Sequence, residues 1–262
     1  MKKTPGTPRF RALLATVTLS LGFLFASNLE AQLLLSMDFN SKPSGGSASP
    51  TEAGYNGIAI NDANFTGPFT TSFSGLSTSL SSGTVGLTIA AGTSLSATGT
   101  LLSRDRSTTT ADNGSFTYQA LYRDFIISKD TTTGLPKMTI GLSGLNASTE
   151  YLVTFYAYDN NNSGAISLQN TTGTGSQSGS ISWTAGYAFN GANANENAKF
   201  STTLRVQTDT LGNLTFLNTT TSGAGFQSIL NGIQVTAVPE PTAIALVIAG
   251  CGILFLRRRH RH

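Results

Sequence analysis

Asp159, Asn161 and Ser163 stand at alternate positions before Gly164, the spacing with which a calcium loop presents its first oxygen ligands ahead of a tight turn. The pattern fails at its twelfth position, where Asn170 replaces the bidentate glutamate, so this stretch reads as a solvated turn. No metal-ligand set and no cofactor is assigned from the sequence, which is silent on structural calcium held elsewhere by Asp and main-chain carbonyls. Asp38, Asp105, Asp124 and Glu150 are among the other acidic residues that could do chemistry. Two carboxylates suffice to hydrolyse a glycoside, yet these residues show no pairing motif, and turn and edge positions account for them equally well.

Cys251, His260 and His262 are the chain's only thiol and imidazoles, and all lie in the last twelve of its 262 residues. The stretch 32–236 therefore has no disulfide, no thiolate nucleophile, no imidazole base and no His or Cys metal ligand. On these grounds the chain is expected to be no enzyme, with no catalytic residue. The net charge of +3 misleads as well. Lys2, Lys3, Arg9 and Arg11 crowd one end and Arg257, Arg258, Arg259 and Arg261 the other, while Gln32 to Thr236 holds eight basic and eleven acidic residues, a net of −3. That mild acidity leaves no footprint for nucleic acid.

The most specific chemistry is written where the chain would be a substrate. In Val238-Pro239-Glu240-Pro241 two prolines remove backbone donors, fix φ and bias the residues before them toward extended geometry. A processing enzyme could bind such a stiff strand at little ordering cost. Apolar or small residues follow from Thr242 to Leu256, then the arginines. The run is marginal for a bilayer about 30 Å thick, and the arginines hold its end in the cytoplasm. At the other terminus, basic residues 1–11 precede the apolar ALLATVTLSLGFLFA of residues 12–26, the three-part pattern of a secretory signal peptide. Cleavage between Ala31 and Gln32 is preferred, with cleavage after Ala26 left open.

The Pro-Glu-Pro motif, apolar helix and basic end, in that order, closely resemble the PEP-CTERM sorting signal of bacterial proteins. The resemblance covers about 25 residues. It implies an exosortase, a membrane-embedded enzyme similar to cysteine transpeptidases, as the partner that recognises Val238 to Pro241 and releases or transfers the protein. It also implies export through the Sec translocon, trimming by signal peptidase, a transient inner-membrane-anchored intermediate, and delivery to the cell surface or beyond. Residues 1–31 are then the signal peptide, 32–236 an extracytoplasmic domain, and 237–262 the sorting signal with its single hydrophobic helix.

Within the domain, apolar residues alternate along Leu33–Phe39, Val85–Ile89, Tyr151–Ala157, Phe200–Val206 and Ile229–Val235, with Gly, Asn and Ser between the runs. Period-two patterning predicts half-buried antiparallel strands. Only 11% of residues are charged and 28 are glycine, which suits many short strands joined by turns. No amphipathic helical window of convincing length follows residue 32. About nine or ten strands without βαβ alternation predict an all-β, antiparallel two-sheet β-sandwich, a jelly roll.

LLLSMDFN after Gln32, LYRDFII at 121–127, LSGLNASTEYLVTFYAYDN at 142–160 and ILNGIQV at 229–235 together resemble the galactose-binding-like or malectin-like jelly rolls. That resemblance implies glycan binding through loops at one end or through a sheet face. Sugar recognition needs flat aromatic faces with carboxylates and amides beside them. Trp183, Tyr187, Tyr156, Tyr158, Asp159 and Asn161 are the candidate contacts on that reading; for Trp183, core packing and ligand contact weigh equally. The expected function is a non-catalytic cell-surface or extracellular-matrix protein, associated with exopolysaccharide. A purely structural or adhesive β-sandwich and a carboxylate-only glycosidase or polysaccharide lyase stay open as alternatives.

Overall fold

The computed structural model describes residues 31–93, 99–129, 135–172, 177–223 and 227–238; residues 1–30 of the expected signal peptide and 239–262 of the expected sorting signal lie outside them. Gln32–Ala237 forms one compact unit. Among the described residues it is nearly all β, as the alternating runs predict: β1 (Gln32–Lys42), β2 (Asn56–Asn61), β3 (Phe65–Thr66), β4 (Phe69–Ser74), β5 (Ser81–Thr93), β6 (Thr100–Asp105), β7 (Asp124–Lys129), β8 (Pro136–Leu145), β9 (Glu150–Tyr156), β10 (Gly164–Asn170), β11 (Ser178–Trp183), β12 (Ser201–Gln207), β13 (Leu214–Gly223), β14 (Gln227–Leu230) and β15 (Gly232–Ala237). One short helix, α1 (Gln119–Arg123), and a 3-10 turn at Glu196–Ala198 interrupt them. No helix of the described residues is long and apolar enough to cross a membrane.

The strands form three sheets, ordered β12-β9-β15-β1-β2, β11-β10-β13-β8-β5-β4 and β14-β7-β6-β3, an arrangement consistent with a β-sandwich. Alternation puts Val85, Leu87 and Ile89 of β5, Met138, Ile140 and Leu142 of β8, and Tyr151, Val153 and Phe155 of β9 into one apolar core. Phe155 meets Phe216 edge-on at 4.9 Å, joining the first sheet to the second. Hydroxyls and amides join the third sheet to both: Ser103 Oγ donates to the Ile60 carbonyl at 2.7 Å, and Asn218 Nδ2 to that of Ile229 at 3.0 Å. Buried main-chain acceptors need such partners.

Among the described residues the strand pairing is antiparallel with one exception. β1 and β2 run parallel, from Met37 opposite Asn56 to Lys42 opposite Asn61, because the intervening loop carries the chain back over β1 before β2 begins. That loop also changes the expected half-burial of β1. Every residue from Leu34 to Ser41 is buried: one face meets β6 and β7, and the loop ties down the other, Asn40 Nδ2 donating to the carbonyls of Ser49 and Pro50 at 3.1 and 2.8 Å. The run 229–235, expected as one strand, is two. Asn231 breaks it and lets the chain change sheets: its Oδ1 accepts from the Tyr158 N–H at 2.6 Å while its Nδ2 donates to the Asp124 carbonyl at 2.7 Å.

Candidate functional site

Four of the six candidate glycan contacts are packed inside the domain. Trp183 is 7% exposed, its Nε1 donates to the Asn162 carbonyl at 2.7 Å, and its ring lies so close to Gly164 that an added Cβ there would meet it at 2.6 Å. Tyr156 and Tyr158 belong to an aromatic layer. Tyr158 stacks on Phe200 at 4.8 Å, and Tyr122 sits edge-on to both Tyr156 and Tyr158, at 6.2 and 5.8 Å. Their hydroxyls donate at 2.8 Å to Gln234 Oε1 and Asn160 Oδ1 respectively.

Asp159 is buried, and its carboxylate is filled. It accepts from Arg106 Nε and Nη2 at 2.8 and 3.3 Å, from the Asn161 N–H at 2.9 Å and from Asn162 Nδ2 at 2.8 Å. The turn after β9 is thus closed by hydrogen bonds and an arginine, and a cation entering there would first have to displace a guanidinium. Asn161 is exposed and Tyr187 half-buried. The Tyr187 hydroxyl reaches Glu196 at 3.2 Å from each oxygen, and Lys199 Nζ lies 5.4 Å from its ring. Burial pushes the Glu196 carboxyl up, but hydrogen bonds from Asn193, Asn190 and Tyr187 outweigh it and hold the group below its ordinary value. These six residues therefore build one end of the sandwich and offer no broad aromatic platform.

The outer face of the second sheet is different. Its six strands carry one charged residue, Lys137, among their described positions. Thr70, Thr88, Gly141 and Thr215 lie in one cross-strand row, and Lys137, Thr219, Ser167 and Ser180 in another. Period-two geometry sends the apolar neighbours inward and leaves mostly hydroxyls outward. Such a face can donate and accept hydrogen bonds along its length with little fixed charge.

A third arrangement was not legible as a site. Asp38 on β1 and Asp124 at the start of β7 are both 0% exposed. Asp38 Oδ2 accepts from the Glu52 N–H at 2.7 Å, but Oδ1 of Asp38, both carboxylate oxygens of Asp124 and Ser49 Oγ have no hydrogen-bond partner. Ser49 lies beside Asp124 without an aligned bond. Burial raises Asp38 to about 7, opposed by the Glu52 N–H and reinforced by the Glu52 charge. Burial, then the charge of Asp38, raises Asp124 to about 9; Ser49 and Arg123 oppose and Asp105 adds to the rise. Buried carboxyls can hold a proton at neutral pH or, ionised, hold a cation. The one signal in the sequence was a carboxylate inside each of two apolar runs, SMDF and YRDF.

No family model matches the chain, and no curated protein matches it either. Among solved structures it is similar to the enzymatically active domain of tailspike protein 4 of bacteriophage CBA120, at 10% identity and a TM-score of 0.27, over 58% of this chain and 19% of that one. The expectation that the chain is no enzyme is corrected: this neighbour is named an enzymatically active domain. A likeness of this size assigns no reaction, substrate or catalytic residue here.

Proposed function

We propose that this chain is an exported bacterial protein, sorted by an exosortase to the cell surface or extracellular matrix, where a β-sandwich of jelly-roll type associates with exopolysaccharide. The carrying observation is the order of Pro239-Glu240-Pro241, the apolar run 242–256 and the arginines from Arg257. The compact unit ends at Ala237, beside that motif. Gln32 and Ala237 are register partners on β1 and β15, so the two ends of the compact unit lie on neighbouring strands, and removal of residues before Gln32 or after Ala237 would leave the strand ladder whole. Sec translocon and signal peptidase handle the first end; the inner membrane holds the second until the exosortase acts.

The hydroxyl-rich face of the second sheet, with Lys137 as its one charged residue among the described positions, supports the affinity for polysaccharide. It offers many neutral donors and acceptors to a polyhydroxylated chain and limits the desolvation cost that fixed charges would add. Glycan contact thereby moves from Trp183 and its neighbours to the sheet face. The test is the fate of residues 239–262 in the producing cell, together with retention of the processed protein on the cell's own exopolysaccharide. An unprocessed chain found in the cytosol sinks the sorting reading. A processed chain that washes freely off the polymer sinks the affinity alone.

A further inference from the structure

The enclosed carboxylates of β1 and β7 are independent of the sorting signal. Asp38 and Asp124 face burial without a counter-charge: the ion pairs among the described residues join Arg106 to Asp159, Arg123 to Asp105 and Arg205 to Glu150. Four oxygens at this place, Oδ1 of Asp38, both of Asp124 and Oγ of Ser49, have no partner. Native interiors seldom leave buried polar atoms so, and an unmatched group calls for an unrecorded ligand or strain. The carboxylate of Glu52, whose main-chain N–H bonds Asp38, is already engaged, accepting from the N–H groups of Ala53 and Leu121 at 2.9 and 3.3 Å.

We propose that Asp38, Asp124 and Ser49 bind one calcium ion, which fastens the 43–55 loop to β1 and β7. Calcium takes six to eight oxygens in irregular geometry at about 2.3–2.6 Å, whereas magnesium demands a near-ideal octahedron and keeps most of its water. Two carboxylates, one of them free to bind through both oxygens, and a hydroxyl suit the former. Such a set would need further oxygens from main-chain carbonyls or water to reach six. No group of three or more acidic, His or Cys side chains gathers among the described residues; the proposed side-chain donors are two carboxylates and one hydroxyl. The loop is already held in place by the Glu52 N–H on Asp38 and by Asn40 on the carbonyls of Ser49 and Pro50; the ion would bind a site assembled in advance. This site is distinct from the Asp159 turn, whose carboxylate Arg106 occupies.

The test uses the full chain in detergent at pH 7.5, stripped with EDTA and returned to calcium chloride or magnesium chloride. Metal analysis should find about one calcium per chain. Calcium at a hundredfold excess over its dissociation constant should raise Tm by about 5–10 °C, and magnesium by less. Asp124→Asn keeps the side-chain volume and removes the charge. It should abolish the calcium response while melting in EDTA at or above the wild-type temperature, which separates lost binding from lost folding. A wild type whose Tm ignores calcium, or an Asp124→Asn chain that responds as the wild type does, overturns the site.

Discussion

The main-chain N–H of Glu52 donates to Oδ2 of Asp38 at 2.7 Å across fourteen residues of chain. Through that bond the 43–55 loop is anchored on β1. The Glu52 carboxylate goes on to take the Leu121 N–H at 3.3 Å, which connects the loop to α1. One residue thus links a strand, a loop and a helix around the two enclosed carboxylates, and the consequences are thermodynamic before they are functional.

In EDTA the protein should lose stability as pH rises. Asp38 and Asp124 bind protons more tightly in the folded chain, at about 7 and about 9, than the ordinary value of 3.8 for an unfolded chain. A raised carboxyl contributes stability that is complete below the unfolded value and is lost as pH rises through the folded one. The window therefore runs from about pH 4 to pH 7 for Asp38 and to pH 9 for Asp124. Its slope approaches about 1 kcal/mol per pH unit for each group. Chemical denaturation at pH 5 and pH 8 measures it; equal stability at the two values contradicts the burial of the pair.

Asn231→Ala should destabilise strongly. The truncation strands the Tyr158 N–H and the Asp124 carbonyl, both bonded by the Asn231 amide at 2.6 and 2.7 Å. Each buried group left unmatched costs about 1–3 kcal/mol. Urea unfolding should show a lower midpoint with an unchanged slope, whereas a loss under about 0.5 kcal/mol would mean that another group substitutes for the amide.

Trp183→Ala should behave as a core mutation. The ring is 7% exposed and its Nε1 is bonded to the Asn162 carbonyl, so removal costs about 3–5 kcal/mol. Gly164→Ala should destabilise too, because its Cβ would meet the ring at 2.6 Å and overpack the site. Unchanged stability in Trp183→Ala would return this residue to the list of surface contacts.

The strands were legible in the sequence because alternation survives wherever one face is solvated. Val85, Leu87 and Ile89, and likewise Tyr151, Val153 and Phe155, are buried in β5 and β9, as their spacing requires. What local pattern could not carry was the meeting of distant residues. Asn231 reads as one more position of a strand, and only the approach of Tyr158 and Asp124 makes it a junction. Asp38 and Asp124 are 86 positions apart, so neither marks the other in sequence. Trp183 has the composition of a sugar platform, but its pairing with Gly164 across β10 and β11 turns it inward. Burial, not residue type, separates those outcomes.

A charge placed in the hydroxyl face should affect adhesion without affecting the fold. Thr139 sits opposite Ala90 and Leu217 in the middle of that sheet and is exposed. Thr139→Glu should change stability by no more than about 0.5 kcal/mol and should weaken retention on exopolysaccharide in a column-elution assay. Retention equal to the wild type would remove this face from the binding surface.

Sorting is the central claim, and the termini of the mature protein test it most directly. Intact-mass and terminal-peptide spectrometry on protein recovered from the surface or medium of producing cells should give a chain that begins at Gln32, or at Ser27 after the alternative cut. The same chain should lack the apolar run 242–256 and the arginines beyond it. Deleting the host's exosortase should restore that segment and leave the protein in the inner membrane. A surface protein that still carries residues 242–262 with the enzyme present would contradict the account.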